Sequence, residues 1–143
     1  MKGAFVDTNV VLDLLMDRAG VDLAQQLMSL AGDGKLYLGF SLLSVANTAY
    51  VLRHKHGNAD VYGIIQDLRS MLHILSMDEE QLLNALATPT RDFEDNLQYQ
   101  CAKAHGFDTI ITNNTKDFPL TDIRILTPQE ALAENNLSHL LQN

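Results

Sequence analysis

This sequence predicts an α/β fold, a central, mostly parallel five-stranded sheet flanked by helices in three α/β/α layers, and three observations predict it. Short strand-like runs recur at residues 4–6, 36–40, 73–76, 109–112 and 123–126. Longer stretches with helical apolar period lie between them. The first apolar run breaks at Asp7-Thr8-Asn9 before Val10-Val11-Leu12 resumes. That break reads as a buried parallel strand delivering an acid to the C-terminal edge of a sheet, where open α/β sheets bind ligands. Strands alternating with helices imply crossover connections, hence parallel pairing.

Each helix has its own signal. Residues 21–30 carry Leu23, Ala24, Leu27 and Leu30 on one stripe and stop before Gly32-Asp33-Gly34. Residues 43–56 are apolar at Val45, Ala46, Ala49 and Leu52, with Gly57-Asn58 as the stop. Residues 60–72 and 79–86 are further helix candidates. Residues 95–105 place Leu97, Cys101 and Ala104 on one stripe, and Gly106 takes the C-terminal stop position. Thr127-Pro128-Gln129-Glu130 is a capping box with Pro in the first turn, so a last helix opens there. The polar tail from about residue 135 is expected to fray. No repeat, low-complexity segment or linker divides the 143 residues, so a single domain over 1–143 is expected.

Composition narrows the function. The chain is 46% hydrophobic, without an apolar run long enough to span a membrane. The apolar stretch after Lys2 breaks at Asp7, unlike a signal peptide, so a cytoplasmic location is expected. Cys101 is the only cysteine, which rules out an intrachain disulfide and a cysteine-based zinc site, and a buried, inert thiol is expected. Eighteen acidic residues against ten Lys and Arg give a net charge of −8. That excludes a sequence-blind polyanion binder, whose affinity comes from many cationic contacts to phosphate. It leaves open an enzyme whose metal ions bridge its own carboxylates to phosphate, and a basic protein partner.

Three clusters join Asp7 as candidate site residues. Asp92-Phe93-Glu94-Asp95 opens the helix that runs to His105, and Thr112-Asn113-Asn114-Thr115-Lys116-Asp117-Phe118 follows the fourth strand. Ser44 and Asn47 stand three apart, on one face of one helix. Acids gathered from separate strand ends suit hard divalent cations such as Mg²⁺ or Mn²⁺, which take oxygen ligands and retain waters. Without a cation they repel one another.

The ordered set of Phe5-Val6-Asp7-Thr8-Asn9-Val10 followed by Leu12-Asp13-Leu14-Leu15, then Asp92-Phe93-Glu94-Asp95, then residues 110–118 resembles a PIN domain of the group related to VapC-type toxin ribonucleases. The resemblance covers nearly the whole chain. It implies an α/β nuclease that cleaves RNA, less often DNA, with Mg²⁺ or Mn²⁺ held by three or four acids. Carried over, Asp7, Asp95 and Asp117 become the catalytic, metal-holding acids, with Asp92 or Glu94 as helper. Two positions depart from the family pattern: Asn47 stands where many relatives carry glutamate, and Asn114 where many carry aspartate. The resemblance also implies a homodimer and a small antitoxin partner.

Bland readings stand beside these. Asp7 alone could cap the following helix; the company of the other clusters favours the site. Asp92 and Asp95 both suit a helix N-terminus, and the division favoured is Asp92 as cap and Asp95 as ligand. Asp117 and Asn114 could be turn residues. Asn9 is expected to hold the turn, with Thr8 in either role and Thr112 and Ser44 in support; Asn47 could instead hydrogen-bond a neighbouring loop. Glu94 is expected to face solvent, and Asp13 to be an exposed or capping acid. Lys116 and Arg91 are candidate phosphate contacts. Arg53-His54-Lys55-His56 is expected to be a solvated helix end. The function expected is metal-dependent hydrolysis of RNA phosphodiesters. The alternative is a catalytically weakened module that binds RNA or a partner. Aspartyl-phosphate chemistry ranks last: position 9 is Asn where a phosphatase of that class needs Asp, and no acidic pair of the receiver type precedes Asp7.

Overall fold

Five strands, β1 (Gly3–Val6), β2 (Tyr37–Ser41), β3 (His73–Leu75), β4 (Thr109–Ile111) and β5 (Arg124–Leu126), form one sheet in the order β3-β2-β1-β4-β5. Every neighbouring pair is parallel. The computed structural model describes residues 3–55, 57–120 and 122–142, with side chains described as far as Asn136. Seven helices complete the described chain: α1 (Thr8–Leu15), α2 (Val21–Gly32), α3 (Leu42–Lys55), α4 (Val61–Met71), α5 (Glu79–Ala87), α6 (Phe93–Ala104) and α7 (Pro128–Gln142).

Alternation along the strands makes the three layers. Ala4, Val6, Leu38, Phe40 and Ile111 share one core with Val10, Val11, Leu27, Leu68 and Leu132 from α1, α2, α4 and α7. Phe5, Leu75 and Ile110 point the other way, into a core with Tyr99, Cys101 and Ala102 of α6. Central β1 is covered on both faces, which explains its unbroken apolar run. Burial pushes the Cys101 thiol up to about 11, as an inert core cysteine requires.

The strand order reverses between β1 and β4: the chain moves outward through β2 and β3, then returns to build β4 and β5 on the other side. Such a reversal opens a crevice at the strand C-termini. Asp7 leaves β1 and Thr112 leaves β4 at that crevice, and the Asp7 amide donates to the Ile111 carbonyl at 2.9 Å.

Most elements lie where the sequence places them. The expected capping box forms at α7, with the Thr127 amide on Glu130 Oε1 at 2.9 Å and the Glu130 amide on Thr127 Oγ1 at 3.2 Å. α6 starts at Phe93, two residues earlier than its apolar stripe suggests, because Asp92 caps it. The expected loop after β4 contains a 3₁₀ turn at Thr115–Asp117. The face of α3 is also shifted: its buried residues are Ser44, Thr48 and Leu52, while Ala46 is exposed. Small hydroxyl residues are buried there because α3 covers a polar network under the crevice. His54 and its neighbours Arg53 and Lys55 form an exposed helix end, and His56 lies outside the described residues. In α7, Asn135 is buried, at 2% exposure.

Gly39 of β2 lies under the Phe107 ring, which in turn packs edge-on against Phe5. A Cβ at Gly39 would stand 2.5 Å from Phe107 Cζ and 2.9 Å from Leu75 Cδ1. Gly39→Ala is therefore expected to destabilise the protein by about 1–3 kcal/mol through overpacking, measured as a lowered urea midpoint with an unchanged slope.

Candidate active site

Asp7 occupies the N-cap position of α1 yet makes no side-chain capping bond. Its carboxylate accepts instead from the Thr112 hydroxyl, at 2.9 Å across the β1–β4 crevice. At 7% exposure it is close to fully buried. Burial raises its pKa to about 6; the Thr112 hydroxyl and the Thr8 backbone pull it down, and Asp117 and Glu94 push it further up. Thus the capping alternative does not describe this carboxylate.

Asp95, in the first turn of α6, is half-buried. Its pKa rises to about 7, first through burial, then through repulsion from Asp7, Asp92, Asp117 and Glu94. Acids from β1, α6 and the 3₁₀ turn therefore share one electrostatic field. Asp92 is the cap, its Oδ1 accepting the Asp95 amide at 3.0 Å. Asp95 and Asp117 also line one small cavity.

Beneath the acids runs a buried chain of hydroxyls ending in an amide. Thr8 Oγ1 donates to Ser44 Oγ at 2.7 Å, Ser44 and Ser41 hydroxyls lie 3.0 Å apart, and Ser41 Oγ donates to Gln98 Oε1 at 2.6 Å. Gln98 Nε2 returns a bond to Ser44 Oγ at 2.9 Å, and the Ser44 amide bonds Ser41 Oγ at 2.9 Å. The network ties α1, β2, α3 and α6 together directly under Asp7. Ser41 and Gln98 were not singled out from sequence. Their only signal there is polarity at positions that structure-bearing elements bury.

Asn47 donates its Nδ2 to Glu94 Oε1 at 2.7 Å, joining α3 to the first turn of α6. Glu94 is exposed, as expected, but it is held by that bond and it pushes on both Asp7 and Asp95. Two expectations need correction. Asn9 is exposed and its side chain makes no hydrogen bond among the described residues, so Thr8 rather than Asn9 fastens the turn. Asp13 is buried, at 9% exposure, and accepts from Asn113 Nδ2 at 2.7 Å, because α1 carries it back over the loop after β4. Asn114 is exposed and supplies its backbone amide to Thr112 Oγ1 at 3.2 Å. Lys116 and Arg91 are exposed. The ion pairs among the described residues are elsewhere, at Lys103–Asp122 and Arg124–Glu134.

The sequence matches the PIN domain family over residues 4–116. The chain belongs to the PIN-domain family. PIN domains are in general metal-dependent nucleases. Among solved structures, a toxin–antitoxin complex from Klebsiella pneumoniae contains a chain similar to this PIN domain, with a TM-score of 0.66 and 21% identity, over 87% of this chain and 97% of that one. At that identity the likeness is one of fold. No curated protein matches the sequence.

The donor set of this PIN domain suits a hard cation: carboxylates and amides, without histidine or thiolate. Among the described residues no three His, Cys, Asp or Glu side chains close on one point as a ready-made cage. Mg²⁺ does not need one, since it is bound through one or two carboxylates while keeping several waters. Burial is the main reason these two carboxyls are raised, the neighbouring acids add to it, and a bound divalent cation would offset their charge.

Both carboxyls titrate higher in the folded chain, about 6 and about 7, than their ordinary 3.8. The folded state thus binds these protons more tightly, and the stability they confer is present at low pH and lost as pH rises toward about 7. The metal-free protein is expected to lose a few degrees of Tm between about pH 5 and pH 8, with half-exposed Asp95 contributing less because solvent screens it. Calorimetry across that range checks this, and Asp7→Asn is expected to flatten the decline.

Proposed function

We propose that this PIN domain hydrolyses phosphodiester bonds of RNA with Mg²⁺ or Mn²⁺, as the toxin of a toxin–antitoxin pair. The observation that carries the reading is that Asp7 and Asp95, each raised first by burial and then by neighbouring acids, lie in the field of Asp117, three acids from three separate segments. These three acids would hold the ion. When bound, the ion supplies Lewis acidity that activates water and stabilises charge on the leaving oxygen.

The chain's own residues set the stage for that chemistry. Thr112 fixes the orientation of Asp7. The Thr8–Ser44–Ser41–Gln98 network holds the crevice floor and keeps α1 and α6 at fixed separation. Asn47 presents Glu94 as a further carboxylate at the rim. Lys116 and Arg91, exposed beside Asp117 and Asp92, are the cations available to an incoming phosphate.

The toxin reading draws support from the fold shared with the Klebsiella pneumoniae complex. The net charge of −8 suits a basic segment of an antitoxin. Exposed Leu42 and Tyr50 on α3, Leu83 and Leu86 on α5, and Phe93 on α6 suit burial against a second copy in a homodimer. No helix among the described residues is long and apolar enough to cross a membrane, which accords with a cytoplasmic site of action. A second reading, a weakened module that binds RNA or a partner without cutting, is favoured by the amides at Asn47 and Asn114.

Asp7→Asn is expected to reduce cleavage of a labelled RNA by about 100-fold or more with the circular dichroism spectrum unchanged; undiminished cleavage would sink the assignment. Wild-type protein that takes up Mn²⁺ in calorimetric titration yet cuts no RNA would favour the binding module. Asn47→Ala, which releases Glu94, is expected to weaken Mn²⁺ binding by about fivefold, the worth of one hydrogen bond, with Tm nearly unchanged.

A further inference from the structure

Asp13 is a buried carboxylate that the proposed chemistry does not use. It lies on α1 at 9% exposure. The acids that raise Asp7 and Asp95 are Asp92, Glu94, Asp117 and Asp7 itself, so Asp13 stands apart from the cluster proposed to hold the ion. What it does hold is Asn113, whose Nδ2 donates to Asp13 Oδ2 at 2.7 Å. A carboxylate only accepts, so the Asn113 amide is held one way round, and the charge makes such a bond stronger than one between neutral groups. The same oxygen is backed from behind: a Cβ at Gly20, at the corner between α1 and α2, would collide with Asp13 Oδ2. The Arg18 amide also donates to the Asp13 carbonyl, at 3.0 Å.

The loop that Asp13 reaches carries Asp117. Thr112 and Phe118 are buried, at 0% and 5% exposure, and residues 113–117 between them are all exposed. Within this stretch the hydrogen bonds are local. The Asn114 amide donates to Thr112 Oγ1 at 3.2 Å, the Asp117 amide to the Asn114 carbonyl at 3.2 Å, and the Phe118 amide to the Thr115 carbonyl at 3.4 Å. Bonds that close a turn on itself fix its shape but not where it stands. Among the described residues, Asn113 to Asp13 is the only hydrogen bond that joins residues 113–117 to another element. An exposed turn held by its two ends alone belongs to the least stable parts of a fold.

We propose that Asp13 is the positioning residue for Asp117: through Asn113 it sets the 3₁₀ turn against α1 and so places Asp117 relative to Asp7. α1 suits this task. Its N-cap is Asp7, its first residue Thr8 is tied to Ser44 in the crevice floor, and Asp13 follows less than two turns on. One helix then carries a ligand at its start and the tether of a second ligand near its end. The turn is placed before a cation arrives, so binding need not order it, which is how outer partners tune a metal site. The inference rests on the reading of Asp117 as a ligand of the proposed ion.

Two variants test this: Asn113→Ala removes the exposed partner and leaves the core untouched, and Asp13→Ala removes the buried one. In both metal-free proteins the backbone ¹⁵N order parameters of residues 114–117 are expected to fall from about 0.85 to below about 0.6. The Mn²⁺ dissociation constant, by calorimetric titration, is expected to rise about tenfold in each. The double variant is expected to bind no more weakly than either single one, because both delete the same bond. Unchanged order parameters in Asn113→Ala overturn the proposal. So does wild-type Mn²⁺ affinity in that variant, the result expected of a bond that only adds stability. Additive losses in the double variant also overturn it, since Asp13 would then act by another route. Should wild type take up no Mn²⁺, the proposed metal site fails, and the order parameters of the metal-free variants decide the role of Asp13 by themselves. Asn113→Ala decides it alone if Asp13→Ala does not fold.

Discussion

Holding like charges together away from bulk water costs free energy, and the architecture of this PIN domain is organised around that cost. Asp7 is fixed in sequence at the end of the central strand β1, so its carboxylate is desolvated by the core that stabilises the fold. Bringing α6 over the same crevice adds Asp95 and Glu94, and the turn after β4 adds Asp117. Each arrival adds to the effect of burial in making ionisation of Asp7 and Asp95 harder. The fold tolerates this because the strain is local, while two apolar cores on opposite faces of the sheet supply stability from outside the crevice. A strained site is commonly a weak point of its fold, and here the strain sits on the buried carboxylates Asp7 and Asp95.

Keeping those groups in place requires restraint from several directions. The β1–β4 pairing fixes the backbone of Asp7, and the Thr112 hydroxyl fixes its side chain. Below, the hydroxyl–amide network uses nearly every donor and acceptor it owns. Ser44 receives from Thr8 and Gln98, and Ser41 passes its proton to Gln98. Each such bond contributes only about 1 kcal/mol net. Their greater effect is directional: a fully satisfied buried network admits one arrangement of α1, α3 and α6, whereas an apolar floor would admit several. That explains why α3 buries Ser44 and Thr48 where its sequence offers Val45 and Ala49 as an alternative face.

The sheet was legible in the sequence because period and punctuation are local properties. The strand-end position of Asp7 and the capping role of Asp92 could be read for the same reason, since both depend on a few consecutive residues. Pairings between distant segments were not legible. Asp13 looked like a surface acid because its partner, Asn113, is a hundred positions away. Glu94 reads as solvent-facing from helical phase alone, and only the approach of α3 brings Asn47 to it. Asn9 looked structural because Asn suits turns, yet Thr8 reaches the network first.

The amide at position 47 shows why counting acids along the sequence misjudges such a site. Asn47 brings no charge of its own, but it donates a hydrogen bond that holds a carboxylate from the facing helix. The charge is then carried by α6 and the position is specified by α3, so the crevice keeps its negative field at that corner. The two arrangements are not equivalent. A carboxylate rooted directly on α3 would be fixed by one side chain, whereas Glu94 depends on a contact between two side chains that are not fully buried. Water competes for that contact, and salt screens the charge more than it screens Asp7. The rim of the crevice is therefore softer than its floor. Of the carboxylates at the crevice, Asp7 is buried and held by the Thr112 hydroxyl, whereas Glu94 is exposed and the loss of one amide would set it free.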